Sequence, residues 1–185
     1  MQIVDINLTE NKPFLDEKTI ACIGFFDGIH KVHEKILRKA ANIAKRKKLK
    51  LVVITFDKKI RDFLQQKNTA IQKNRLKYAL IDRLVAPSFI FEIQVSTKVT
   101  KVSSAFFMSY IKNVLNVQRI VVGNDFRFGE KASGNINDLK NFFGARNVTV
   151  FHRRKKYSSS RIKELLQAKQ YRQVKKITNN LNIDE

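Results

Sequence analysis

A chain of 185 residues, 43% of them hydrophobic, can build one real core and is too apolar for global disorder. Its single cysteine, Cys22, excludes a disulfide framework or a cysteine-rich metal site, and no apolar run approaches the ~18 residues a membrane span needs. The 37 Lys and Arg against 16 Asp and Glu give a net charge of +21, which suits nucleotides, RNA or an acidic surface, or reflects a compositional drift that also leaves no Trp. The N-terminus lacks the basic start, apolar core and cleavage site of a signal peptide, so the expected location is cytoplasmic.

In chain order, Ile3, Val4 and Ile6 read as an edge strand, followed by a polar loop with Pro13. Residues 19–26 form a near-continuous apolar run, as a strand covered on both faces requires. The stretch Gly24-Phe25-Phe26-Asp27-Gly28-Ile29-His30-Lys31-Val32-His33 then turns into a helix over 34–47, whose Ile36, Leu37, Ala40, Ala41 and Ala44 share one face. Glycines 24 and 28 permit a tight turn and close approach, and His30 and His33, three apart, fall on one side of the first helical turn. Free N–H groups and the positive helix end make such an entrance suited to polyphosphate. The run Lys45-Arg46-Lys47-Lys48 fits a helix C-terminus, with a nucleic-acid contact as the alternative.

Residues 51–56 read as a second buried strand, so 19–56 is a βαβ unit with a right-handed crossover. Its ligand crevice lies beyond the strands' carboxyl ends, where both the 24–33 turn and the segment from Asp57 begin. Further on, the pattern predicts a helical piece over 60–64, a helix over 73–84, a strand over 88–95 and a helix over 103–115 capped by Ser103 or Ser104. The Phe and Met of that last helix read as core. A strand over 119–122 leads into Gly123-Asn124-Asp125-Phe126-Arg127-Phe128-Gly129, where alternation lets the two rings share a face. Asp125 suits a ribose or base; a bulge or hairpin with a salt-bridged Arg127 is the structural alternative. A helix over 136–143, a strand over 147–151 and a basic, serine-rich approach to a helix containing Ile162, Leu165 and Leu166 follow, with a last helical segment over 170–180. Ser159, Ser160 and Arg161 at that helix start form an anion site, or simply a cap with a surface arginine.

Three segments together resemble one family. Gly24 to His33 resembles the first signature of the HxGH nucleotidyltransferases, Val122 to Gly129 the V-G-x-D-F-R-F-G segment of FAD synthetases, and Ser158 to Lys163 their S-S-T-R-I-R segment. The resemblance covers the chain, and within the superfamily points to the FMN adenylyltransferase module of bacterial riboflavin kinase/FAD synthetases. It implies a Rossmann-like α/β fold with a parallel sheet flanked by helices, in a single domain over 1–185 without the riboflavin kinase domain. The implied reaction is MgATP + FMN → FAD + pyrophosphate, with FMN supplied by a separate kinase. The implied catalytic residues are His30, His33 and Arg161, and the ATP site adds Gly24, Phe26, Asp27, Gly28, Asp125, Ser159 and Ser160. The implied FMN site is Phe56, Asp57, Asp125, Phe126, Arg127 and Phe128; Mg²⁺ travels with ATP, so no all-protein metal cage is expected.

The pattern departs from the family at two places. Val32 stands at the glycine of H-x-G-H, bringing β-branched bulk towards the nucleotide, and Lys58-Lys59-Ile60 stands where the family has Pro-His-Pro. Lys58 and Lys59 read as surface lysines or as a grip on the FMN phosphate. These departures, with the +21 charge, keep a second function in view: a weakened nucleotide- or RNA-binding protein on the same fold.

Overall fold

The computed structural model describes residues 1–9, 13–152 and 159–178. Strand β1 (Gln2–Ile6) precedes β2 (Thr19–Ile23), α1 (Lys31–Lys47) and β3 (Lys50–Phe56). Short α2 (Ile60–Leu64), α3 (Asn74–Val85), β4 (Phe89–Ile93), α4 (Thr97–Thr100), α5 (Ser104–Asn113) and β5 (Val117–Gly123) follow. The described chain closes with α6 (Ile136–Phe143), β6 (Val148–Phe151), α7 (Ser159–Gln167) and α8 (Tyr171–Ile177).

Among the described residues, six strands form one sheet in the order β1-β4-β3-β2-β5-β6, and every pair is parallel. Helices cover both faces, as an all-parallel sheet needs. Val52, Ile54, Phe91, Ile111 and Leu139 lie in the core shared with α5 and α6, while Val53, Ile90, Leu37 and Ile81 lie in the one shared with α1 and α3. Successive side chains of β3 and β4 thus feed opposite cores. From β2 the chain crosses to β3 on one side, and β5 lies on the other, so the topological switch point falls between β2 and β5. Crevices at such switch points, beyond the carboxyl ends, hold the ligands of open α/β sheets.

Several boundaries differ from the sequence expectation for local reasons. The first buried strand ends at Ile23 rather than residue 26, because Phe26 takes a left-handed φ of 54° that no strand contains. Helix α1 begins three residues before 34: His30 is extended (φ −81°, ψ 170°), and its Nδ1 accepts from the His33 N–H at 3.4 Å, capping the helix. At the other end Lys48 is left-handed, and Lys45, Arg46 and Lys47 fill the last turn, as a helix C-terminus favours. Ser103 caps α5, and Asn135 caps α6 in a reciprocal capping box with Asp138. Ser158, with the cap expected there for α7, lies outside the described residues, as do the basic residues 153–156 and the end of the 170–180 segment.

Candidate active site

The turn after β2 is built on itself. Phe26 is 2% exposed, and its ring covers Gly24, where a Cβ would meet the ring at 3.1 Å. Gly28 has φ +65°, and a side chain there would press on Ile71. The Phe26 ring meets that of His33 edge-on, with centroids 5.4 Å apart, and His33 stacks on His30 at 3.8 Å. His30 is completely buried. It therefore stands behind His33, capping α1 through one ring nitrogen and backing its neighbour with its face.

Asp27, also 2% exposed, joins separate parts of the chain. Its Oδ2 accepts from Lys59 Nζ at 2.6 Å and its Oδ1 from the Ile71 N–H at 2.8 Å, while its carbonyl accepts from Ser159 Oγ at 3.0 Å. The 59–71 segment and the start of α7 are thereby drawn onto the turn. Asp62 accepts from both the N–H and hydroxyl of Thr69. Burial pushes its carboxyl up, but those bonds with nearby Lys59 and Lys163 carry it below its ordinary value. Burial, then the like charge of Lys59, lower the pKa of Lys163 on α7.

Beneath the site a second polar group holds the end of β3. Lys77 is 1% exposed and donates to the Phe56 carbonyl at 2.9 Å, with its ammonium over the Phe25 ring at 4.7 Å. Burial pulls its pKa down to about 8 against the opposing pull of Glu92, Asp27 and Asp57. Glu92 is raised by burial, with Lys77 opposing, and accepts from Asn74 and Gln94. Asp57 accepts from the Val95 N–H at 2.8 Å, so it fastens the end of β3 to the end of β4.

A central cavity of about 390 Å³ opens at the switch point. Gly24, Phe26, Asp27, His33, Asp125 and Ser159 line it, joined from the expected flavin side by Phe56, Phe126 and Arg127. Val32 and Lys59 also line it. An apolar cavity of about 660 Å³ adjoins, sharing Phe56, Ile60 and Arg127 and adding Phe107 and Phe128. The Phe126 and Phe128 rings stack at 5.5 Å, as their alternation in sequence suggests, and Phe128 pairs with Gly134 across a small hairpin. A third cavity, of about 580 Å³, is rimmed by Lys58, Lys59, Lys67 and Lys73 and includes Asp57.

Of the site residues inferred from sequence, Gly28, His30, Ser160 and Arg161 line none of these three cavities. Arg161 is half-exposed and donates to Glu164 at 2.9 Å. Lys163 and Lys77 were not assigned to the site from sequence, and Lys59 had two readings there, a surface lysine or a grip on the FMN phosphate. For Lys77 a signal existed, because it stands four before Ile81 and beside Tyr78 on the buried face of α3. Among the described residues, no group of three or more His, Cys, Asp or Glu is placed to hold a metal ion, and no helix is long and apolar enough to cross a membrane.

A doubly wound parallel sheet with a glycine turn and a histidine-bearing helix entrance at its switch point defines an α/β fold of nucleotidyltransferase type. A profile of the FAD synthetase family matches residues 12–164, and the chain belongs to that family. It is 35% identical over 136 residues to a bifunctional riboflavin kinase/FMN adenylyltransferase of Buchnera aphidicola subsp. Schizaphis graminum, covering 68% of this chain and 41% of that protein. A FAD synthetase of Listeria monocytogenes is 27% identical over 148 residues, covering 76% of this chain and 56% of its own. The chain thus spans about two fifths of the Buchnera relative's length. Among solved structures, a macrolide-efflux protein from Streptococcus pneumoniae superposes with a TM-score of 0.73 at 22% identity, over 89% of this chain and 56% of that one, a likeness of fold.

Proposed function

We propose that this chain is an FMN adenylyltransferase that moves AMP from MgATP to FMN, giving FAD and pyrophosphate. The observation that carries the reading is the pairing of cavities: one at the switch point that Asp27, His33, Asp125 and Ser159 help to line, and an apolar, aromatic one opening beside it through Phe56, Ile60 and Arg127. The first suits a nucleotide triphosphate, the second an isoalloxazine ring. ATP lies along Gly24, Phe26 and Asp125, with its phosphates towards His33 and Ser159. The flavin ring stacks among Phe56, Phe107 and Phe128.

An oxygen of the FMN phosphate attacks the α-phosphorus of ATP in line; the new P–O bond forms as the bond to pyrophosphate breaks. A phosphomonoester is mostly dianionic at neutral pH, so no strong base is required. Nor is a nucleophilic side chain: Cys22 lies wholly buried in β2, where burial pushes its thiol far up. What remains for the protein is positioning and stabilisation of charge. His33 donates to the developing charge, held in place by the rings of His30 and Phe26. Ser159 at the start of α7, on the wall of the central cavity, acts on the β- and γ-phosphates; Ser160 and Arg161, which the resemblance adds, stand outside that cavity. Mg²⁺ arrives as part of the MgATP substrate, bound largely by phosphate oxygens and water.

The test is to incubate the purified chain with MgATP and FMN and separate FAD and pyrophosphate chromatographically. The wild type should form both in equal amounts, and His33→Ala should lower kcat roughly 10²-fold, as loss of one donor to a developing charge does. A wild type that binds ATP yet forms no FAD above the variant's background would overturn FMN as the acceptor.

A further inference from the structure

Lys59 stands where the family pattern has the histidine of Pro-His-Pro, and the structure does not leave it on the surface. Its side chain is 23% exposed and fixed at three points: 2.6 Å from Asp27 Oδ2, 3.2 Å from the Thr69 carbonyl, and over the Phe25 ring at 5.1 Å. It borders both the central and the lysine-rimmed cavities. Lys163 of α7 is near enough for its charge to be felt by Lys59. The carboxylates nearby are shared with neutral donors, Asp27 with the Ile71 N–H and Asp62 with the N–H and hydroxyl of Thr69. The Lys59 ammonium thus shares its counter-charge Asp27 with a backbone N–H, with a second positive charge nearby. A phosphate oxygen is an acceptor that an ammonium so placed takes readily.

We propose that Lys59 grips the phosphate monoester of the flavin acceptor, which rests on the FMN adenylyltransferase reading above. The chain direction says why the acceptor is the one held. Phe56 and Ile60, flanking Lys59, line both the apolar and the central cavity. A flavin whose ring occupies the apolar cavity passes these residues and brings its phosphate to Lys59, on the cavity that His33 also lines. Because Asp27 and Thr69 already hold the ammonium in place, binding spends little side-chain entropy there. Lys58 differs: it is half-exposed, paired with Asp57 at 3.3 Å and turned over Phe63, a solvated cation.

The experiment compares the affinities of FMN and riboflavin, which differ by the phosphate alone, for the full chain by quenching of flavin fluorescence. The wild type should prefer FMN, and Lys59→Met should lower that preference roughly tenfold to a hundredfold, the range for losing a charged hydrogen bond, through FMN alone. Lys59→Arg should keep most of it, and Lys18→Met, an exposed charge at the amino end of β2, should leave it unchanged. Equal weakening of both flavins would make Lys59 a support of the 59–71 segment and overturn the proposal. An unchanged preference, or a loss confined to ATP affinity, would overturn it too while leaving the acceptor reading intact. A wild type that binds neither flavin would overturn that reading along with the proposal.

Discussion

Val32 shows how a family departure is absorbed at one residue. The position lies in the first turn of α1, where valine's backbone is unstrained, and its side chain packs with Ile36 and Phe26 while lining the central cavity. Bulk, rather than backbone conformation, is therefore what valine adds. Val32→Gly should enlarge the cavity and lower the KM for ATP. It should also lower stability by about 2–3 kcal/mol, from lost apolar burial and glycine's poor helix propensity, as read by urea denaturation. A rise in KM would mean that valine contacts the nucleotide. Asp27 carries the converse lesson: a residue that resemblance places in the ATP site is, in the fold, the tie between the turn, the 59–71 segment and α7.

At the scale of elements, the ends of β3 and β4 are joined by buried polar groups. Thr55 donates to the Phe25 carbonyl, Lys77 to that of Phe56, and Asn74 to that of Asp57, so α3 fixes the strand end from which the wall of the apolar cavity continues. Lys77 does this at a cost set by burial. Its pKa falls from 10.5 to about 8 in the fold, so below pH 8 it is protonated in both states and the full penalty is present. As pH rises from about 8 towards 10.5 the native state loses its proton first, the unfolded chain binds more protons, and this group's contribution to stability rises. The difference in unfolding free energy between the wild type and Lys77→Met should therefore shift in favour of the wild type over that window, by roughly 3 kcal/mol. A difference independent of pH would show that Lys77 keeps an ordinary pKa.

Charge is distributed unevenly across the whole molecule. On one face of the sheet α1 and α3 carry ten Lys and Arg against two acidic residues, while α5 and α6 on the other carry two against one. Helix α1, the most basic of these, begins at the site. Such a field draws anionic ligands towards the crevice and is screened over about 8 Å at physiological ionic strength. The KM for ATP should rise several-fold between low and near-physiological salt while kcat changes little. A KM indifferent to salt would make the excess charge a matter of composition alone.

Local pattern determined much of this protein by itself. Apolar runs at 19–26 and 51–56 marked the central strands, apolar periodicity marked α1 and α3, a serine cap marked α5, and three short segments marked the turn after β2, the segment after β5 and the start of α7. These were legible because their causes act within a few residues: burial of alternate or helical faces, turn chemistry and capping. Tertiary structure alone decided that His30 stands behind His33, that Asp27 holds Lys59 and Ile71, and that Lys77 is buried beneath Phe25. It also decided that an apolar, aromatic cavity opens beside the central one. A lysine's role depends on which carboxylate, ring or carbonyl the fold brings to its ammonium. Asp27, the carboxylate that holds Lys59, lies 32 residues from it in the chain, beyond the reach of any local pattern.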